Sequence, residues 1–483
     1  MKAKWSTLFY ILTLLALGIV IYYIVQHGNA LQDAALITHK ITTAKNSNSF
    51  DVFSDSFSHN LTDPLAILLL QIIVIIAFAR LFGFFFKKIG QPSVIGEIVA
   101  GIVLGPSVVG LFFPQASHFL FPAASLGTLN FLSQVGLILF MFIIGMELDL
   151  KAMGKQAFDA VIISHASIII PYTLGMGLAY FIYKNYAPAG IGFLSFSLFM
   201  GIAMSITAFP VLARILQEKG MTKTKLGAMA LTCAAADDLT AWCILAAVIA
   251  LVKSGSPVSA LYTIGLAIVY VLVMLKVVRP VLQKLENIYI KNEKKRTPII
   301  ATLFIMLIVS AYTASIIGIH SLFGAFIAGL VMPTGISFRK IVTDKIEDVS
   351  LVLLLPLFFV ITGLRTQIGL LNEGSLWVTF GWILLVAIVG KFGGSAIAAK
   401  MVGQSWKDSL SIGALMNTRG LMQLIVLNIG YDLGILSPQI FAMMVLMALV
   451  TTFMTGPALE LINWMIPDKD AGIARTDDNK ATA

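Results

Sequence analysis

The stretch LGAMALTCAAADDLTAWCILAAVIALV, residues 226–252, carries two adjacent aspartates, Asp237 and Asp238, and no other charge. It is long enough to cross a bilayer as one helix, since about 20 apolar residues do so. A carboxylate at that depth costs roughly 2.5 kcal/mol or more, and two neighbours resist joint ionisation. Packing gives no reason to keep such a pair. A site that trades protons for a cation does.

The rest of the chain supports a membrane setting. Of 483 residues, 58% are hydrophobic and only 12% charged, against about 25% charged in a soluble domain. Hydropathy predicts an all-α polytopic protein with spans at 7–26, 64–86, 93–112, 126–148, 158–183, 191–214, 225–252, 258–280, 298–317, 320–334, 347–364, 375–399, 408–430 and 438–464. The expected organisation is an N-terminal signal or anchor helix with its loop (1–63), a membrane domain (64–466) and a short cytoplasmic tail (467–483). The first helix reads as a retained anchor, with a cleaved signal peptide as the alternative. No segment is long and polar enough to build a soluble domain.

The net charge of +9 does not point to nucleic acid, because Lys and Arg cluster in alternate short loops: Lys87 and Lys88, Lys151 and Lys155, Lys219 and Lys223, Lys294 to Arg296, Arg339 to Lys345, Lys400 and Lys407. By the positive-inside rule those loops are cytoplasmic, as are both termini if the first helix stays. Cys233 and Cys243 are ten residues apart on one helix, about 15 Å, too far for a disulfide.

Two spans carry breakers well inside. MSITAFPVLARIL (204–216) contains Pro210 with Ser205 and Thr207; GALMNTRGLMQLIVL (413–427) contains Asn417, Thr418, Arg419 and Gly420. Broken helices at bilayer depth are tolerated where they line a cavity or are buried in protein. Two of them seven spans apart have opposite orientations, as an inverted repeat with crossed half-helices requires.

Adjacent residues on a helix diverge by about 100°, so Asp237 and Asp238 face different partners. Lys391, in VGKFGGS (389–395), is the strong basic candidate deep in a later span. The expected arrangement is an Asp237–Lys391 ion pair beside an Asp238 cation site for Na+ or K+. The competing reading is a purely stabilising ion pair with a snorkelling lysine. The hydroxyls of Thr207 and Ser205 are candidate ligands; the alternative is back-bonding to the preceding turn. Glu97 guards an entry funnel or caps a helix. Glu147, Asp149 and Arg365 read as interfacial, Arg419 as a clamp on freed carbonyls or a carboxylate, and His320 as solvated or packed. The histidines have no metal-ligand spacing, and no motif asks for a cofactor or marks an enzyme.

The strings GQPSVIGEIVAGIVLGPS (90–107), FIIGMELDL (142–150), SITAFPVLARIL (205–216), AAADDLTAW (234–242), LPLFFVITGL (355–364) and GALMNTRGLMQLIVLNIG (413–430) together resemble the monovalent cation:proton antiporter-2 family, which includes Kef-type, plant cation/H+ exchanger and bacterial sodium/proton antiporter members. The resemblance implies thirteen antiporter helices after the leading one, two crossed broken helices, an elevator-like cycle and a homodimer. It implies Asp238 as the ion-binding acid, Asp237 as its neighbour in the two-acid subgroup and Lys391 as the partner of Asp237. Thr207 then stands for the hydroxyl of the first broken helix, and Asn417, Thr418 and Arg419 for the second. Segment 467–483 takes the place of the nucleotide-binding domain of Kef-type members, so gating by nucleotide is not expected. The function this implies is exchange of Na+ or K+ for protons. A passive cation channel, a flux-free sensor and an intramembrane aspartyl protease are the alternatives; the protease needs two aspartates facing each other from different helices.

Overall fold

The computed structural model describes residues 2–29, 49–147, 157–221, 224–254, 257–291, 296–333, 336–372 and 374–466. Asp149 and the tail 467–483, both assigned positions above, lie outside the described residues, as does the side chain of Glu147. All regular structure among the described residues is helical. Lipid offers the backbone no hydrogen-bond partner, so a lone apolar segment closes its own bonds as a helix.

Each span expected from hydropathy coincides with a helix or a helix pair. Eleven described helices are long and apolar enough to cross a membrane, or twelve when Trp406–Met416 and Leu421–Asp432, bent by 41°, count as one broken span. The two remaining expectations fall short for physical reasons. The span at 191–214 is divided into Phe193–Ser205 and Phe209–Glu218, and the one at 320–334 forms only the short helix Ser321–Leu330.

The chain separates into two compact units, Met1–Ile67 and Leu68–Ala483. The first contains the helices Lys2–Asn29 and Ser49–Leu61. In the second, small residues allow two tight helix crossings. Ser93–Leu104 packs on Leu355–Arg365 through Gly101 and Gly363: a Cβ on Gly101 would lie 2.5 Å from the Val360 carbonyl oxygen. Ala123–Glu147 packs on Ser321–Leu330 through Gly145 and Gly329, where a Cβ on Gly329 would collide with the Phe142 carbonyl. Such approach without a side chain is what glycine contributes to membrane helix packing.

The remaining helices gather round the acidic helix, Lys225–Ser254. Ala157–Tyr186 packs on it, on Phe193–Ser205 and on Gly394–Met401. The stretch 374–401 is one helix with a π turn at Val389–Gly393, and Lys391 sits in that turn. The second broken span starts at Ser405, whose hydroxyl accepts from the Asp408 amide at 3.0 Å; this is an ordinary N-cap.

Candidate ion-exchange site

The site is built where two helix interruptions meet the acidic helix. Between the first pair of half-helices the backbone is extended at Ile206 (φ −79, ψ 133) and Ala208 (φ −97, ψ 91). Between the second pair it leaves the helix at Asn417–Gly420. The two interruptions hold each other: the Ala208 amide donates to the Thr418 carbonyl at 3.0 Å, and the Thr207 hydroxyl lies 3.1 Å from the Met416 carbonyl. Thr452 on Pro438–Met465 adds a clamp, receiving the Arg419 amide at 3.1 Å and donating to the Arg419 carbonyl at 2.5 Å. Thr418 and Thr455 hydroxyls stand 3.2 Å apart.

Asp237 is fully buried and saturated. Its Oδ1 accepts from Ser164 at 2.6 Å, and Ser167 reaches both carboxylate oxygens at 3.0 and 2.8 Å. Its Oδ2 accepts from Thr207 at 2.6 Å and pairs with Lys391 Nζ at 2.8 Å. Lys391, also fully buried, donates further to the Ser167 carbonyl at 2.9 Å and to the Ser205 carbonyl.

Asp238, one residue on, is just as buried, yet neither of its carboxylate oxygens has a hydrogen-bond partner. The Phe209 amide, at the start of the half-helix Phe209–Glu218, is the backbone donor that acts on it, without reaching hydrogen-bond geometry. Among the described residues, other buried polar atoms without a partner include Nε1 of Trp242, one helical turn beyond Asp238, and Oδ1 of Asn417 and Nε of Arg419 in the second interruption. An unpaired buried carboxylate is costly when charged, and either a proton or a bound cation neutralises it. Among the described residues no three His, Cys, Asp or Glu side chains form a metal cluster.

Some of the expected positions are met and others differ in detail. Thr207 serves Asp237, not Asp238. The Ser205 hydroxyl bonds back to the Gly201 carbonyl at 2.7 Å, so only its main-chain oxygen enters the site. Arg419 clamps main-chain carbonyls, reaching Ala203 at 3.2 Å and Met204 at 2.8 Å at the end of the first half-helix. Glu97 is nearly buried within Ser93–Leu104. Arg365, expected at the interface, is partly buried: it pairs with Asp432 at 2.9 Å, donates to Asn428 at 2.7 Å and lies over the Tyr431 ring. His320 has positive φ and caps Ser321–Leu330 by accepting from the Leu322 amide. Ser164 and Ser167 were missed by sequence reasoning. Their signal is two hydroxyls three residues apart, hence on one helix face, with Pro171 a turn further on.

Comparison with known proteins identifies the family and the fold. A family model described as sodium/hydrogen exchanger, transmembrane, matches residues 73–463. The Na+/H+ antiporter NhaS4 of Synechocystis is 41% identical over 397 residues, covering 82% of this chain and 97% of its own. Cation/H+ antiporter 19 of Arabidopsis thaliana is 37% identical, with 82% of this chain and 50% of its own covered, and K+/H+ antiporter 1 of Saccharomyces cerevisiae is 35% identical, with 84% and 47% covered. The chain thus spans about half the length of the plant and yeast relatives. In fold it resembles the sodium proton antiporter MjNhaP1 of Methanocaldococcus jannaschii, with a TM-score of 0.57, 16% identity, and 83% of this chain and 97% of that one covered. Apolar helices, crossed interruptions and a match over most of the sequence lead to one assignment: the chain is a multi-pass integral membrane protein of the sodium/hydrogen exchanger family.

Proposed function

We propose that the chain is a secondary active antiporter that exchanges a monovalent cation, Na+ or K+, for protons by alternating access at Asp238. The observation that carries this reading is the contrast between two buried neighbours. Asp237 is locked by four side chains, while Asp238 has no hydrogen-bond partner at all. Proton and cation compete for Asp238, so loading one expels the other. Asp237 and Lys391 hold the first interruption in place and neutralise each other. If Lys391 keeps its proton throughout, exchange is one for one. If the Asp237–Lys391 pair also trades a proton, each cycle moves one net charge, worth about 2.3 kcal/mol per 100 mV.

An inverted repeat is consistent with the two interruptions and with the paired glycine crossings, each of which joins a helix of one half to a helix of the other. The working assembly on this reading is a homodimer in a bacterial inner membrane with its C-terminus in the cytoplasm, serving pH homeostasis. The test uses purified protein in liposomes with an internal pH dye and an imposed proton gradient. Dequenching on addition of Na+ or K+, absent with choline and absent in Asp238→Asn, is the expected result. An uncoupled, pH-independent cation current would replace the antiporter by a channel, and no response from folded, inserted protein would replace it by a sensor.

A further inference from the structure

Helix Ala157–Tyr186 keeps a proline, Pro171, in its interior. Proline has no N–H, so the carbonyl four residues earlier, that of Ser167, loses its helical partner. That same carbonyl accepts from Lys391 Nζ at 2.9 Å. An ammonium has three protons to donate. Here they meet Asp237 Oδ2 at 2.8 Å, the Ser167 carbonyl and the Ser205 carbonyl, with the Ser167 hydroxyl at 3.2 Å alongside. Two of the three acceptors are therefore main-chain oxygens without a helical partner, one below Pro171 and one at the end of Phe193–Ser205.

The crossing of the two helices fits the same purpose. Gly390, next to Lys391, lies against the proline: a Cβ there would fall 2.9 Å from Pro171 Cα. The π turn Val389–Gly393 presents Lys391 at this contact.

We propose that Pro171 is a positioning residue for exchange: by withholding an N–H from Ser167 it leaves a carbonyl aimed at Lys391, which fixes the ammonium against Asp237. This rests on reading Asp237, Asp238 and Lys391 as the exchange site. The charged groups acting on Lys391 are Asp237 and Asp238 from the acidic helix and Arg419 from the second broken span. Pro171 touches none of the exchanged ions and acts only through the ammonium.

The test measures cation-driven proton exchange against pH in liposomes for three proteins: wild type, Pro171→Ala, and a variant with lactic acid in place of residue 171. Alanine restores the N–H and draws the Ser167 carbonyl back into the helix; the ester made by lactic acid has no N–H. With one bond to a charged group weakened, the pH of half-maximal exchange in Pro171→Ala moves by about one unit, and the ester returns it to the wild-type value. An unmoved profile in Pro171→Ala overturns the proposal. So does an ester variant shifted like alanine, because the proline ring and not its missing N–H would then matter. Removing a helix breaker does not invite misfolding; should the alanine protein nevertheless fail to insert, the ester variant decides by the same criterion. Wild-type protein without exchange at any pH would instead refute the antiport reading itself.

Discussion

Replacing each aspartate in turn by asparagine should separate the roles of the pair. In Asp238→Asn a near-isosteric amide replaces a carboxylate that makes no hydrogen bond. No contact is lost, and a buried charge that costs several kcal/mol to desolvate disappears. Folding stability should hold or rise. In Asp237→Asn the ion pair to Lys391 at 2.8 Å is broken and a fully buried ammonium is left without its counter-charge. Removing one partner of a buried pair costs about 3–5 kcal/mol, and the bonds from Ser164, Ser167 and Thr207 lose their ionic acceptor. The midpoint of thermal unfolding in detergent should therefore fall by several degrees for Asp237→Asn and not for Asp238→Asn. Exchange in liposomes should be abolished in Asp238→Asn, the more stable of the two. Equal destabilisation of both variants, or exchange retained in Asp238→Asn, would refute the division into a locked and an open acid.

Competition between one proton and one cation at the Asp238 carboxylate predicts that acidification raises the apparent KM for the cation by up to about tenfold per pH unit, since proton activity changes tenfold per unit, with the maximal rate little changed; stopped-flow dye traces at graded cation concentrations check this. Thr207→Val removes the 2.6 Å bond to Asp237 and the contact to the Met416 carbonyl, so it should lower stability by about 1.5–3 kcal/mol, read as a fall in the thermal midpoint, while exchange persists. Gly329→Leu should prevent accumulation of folded protein, because its Cβ alone collides with the Phe142 backbone; detergent extraction followed by size-exclusion chromatography reads that loss.

Much of this architecture is legible in the sequence, for physical reasons. Apolar segments of bilayer length announce themselves, and breakers inside them, at Pro210 and at Asn417–Gly420, announce the interruptions. Asp237 and Lys391 can be paired on paper because two deep opposite charges gain from meeting. Local hydroxyl chemistry is harder. A serine or threonine in a membrane helix can always bond to its own preceding turn. Ser205 does so, while Ser164, Ser167 and Thr207 reach across to Asp237. Only the packing of Ala157–Tyr186 and of the first interruption against the acidic helix distinguishes them. The target of Thr207 was invisible for the same reason: neighbouring acids about 100° apart are told apart only once the helix is rotated into place.

Backbone accounting explains why both deep cations sit where they do. Each interruption releases carbonyls that lipid cannot satisfy. Arg419, on the second broken span, takes those of Ala203 and Met204 at the end of the first. Lys391 takes that of Ser205 from the same end and that of Ser167 below Pro171. The positive charges thus stand in for missing helix bonds: Arg419 is held by main-chain carbonyls, and Lys391 by two of them together with the Asp237 carboxylate. With Asp237 given to Lys391, the carboxylate of Asp238 remains unpaired beside the crossing. On the proposed reading a proton or a monovalent cation brings the same single charge there, so one replaces the other without disturbing the clamps that hold the two interruptions together.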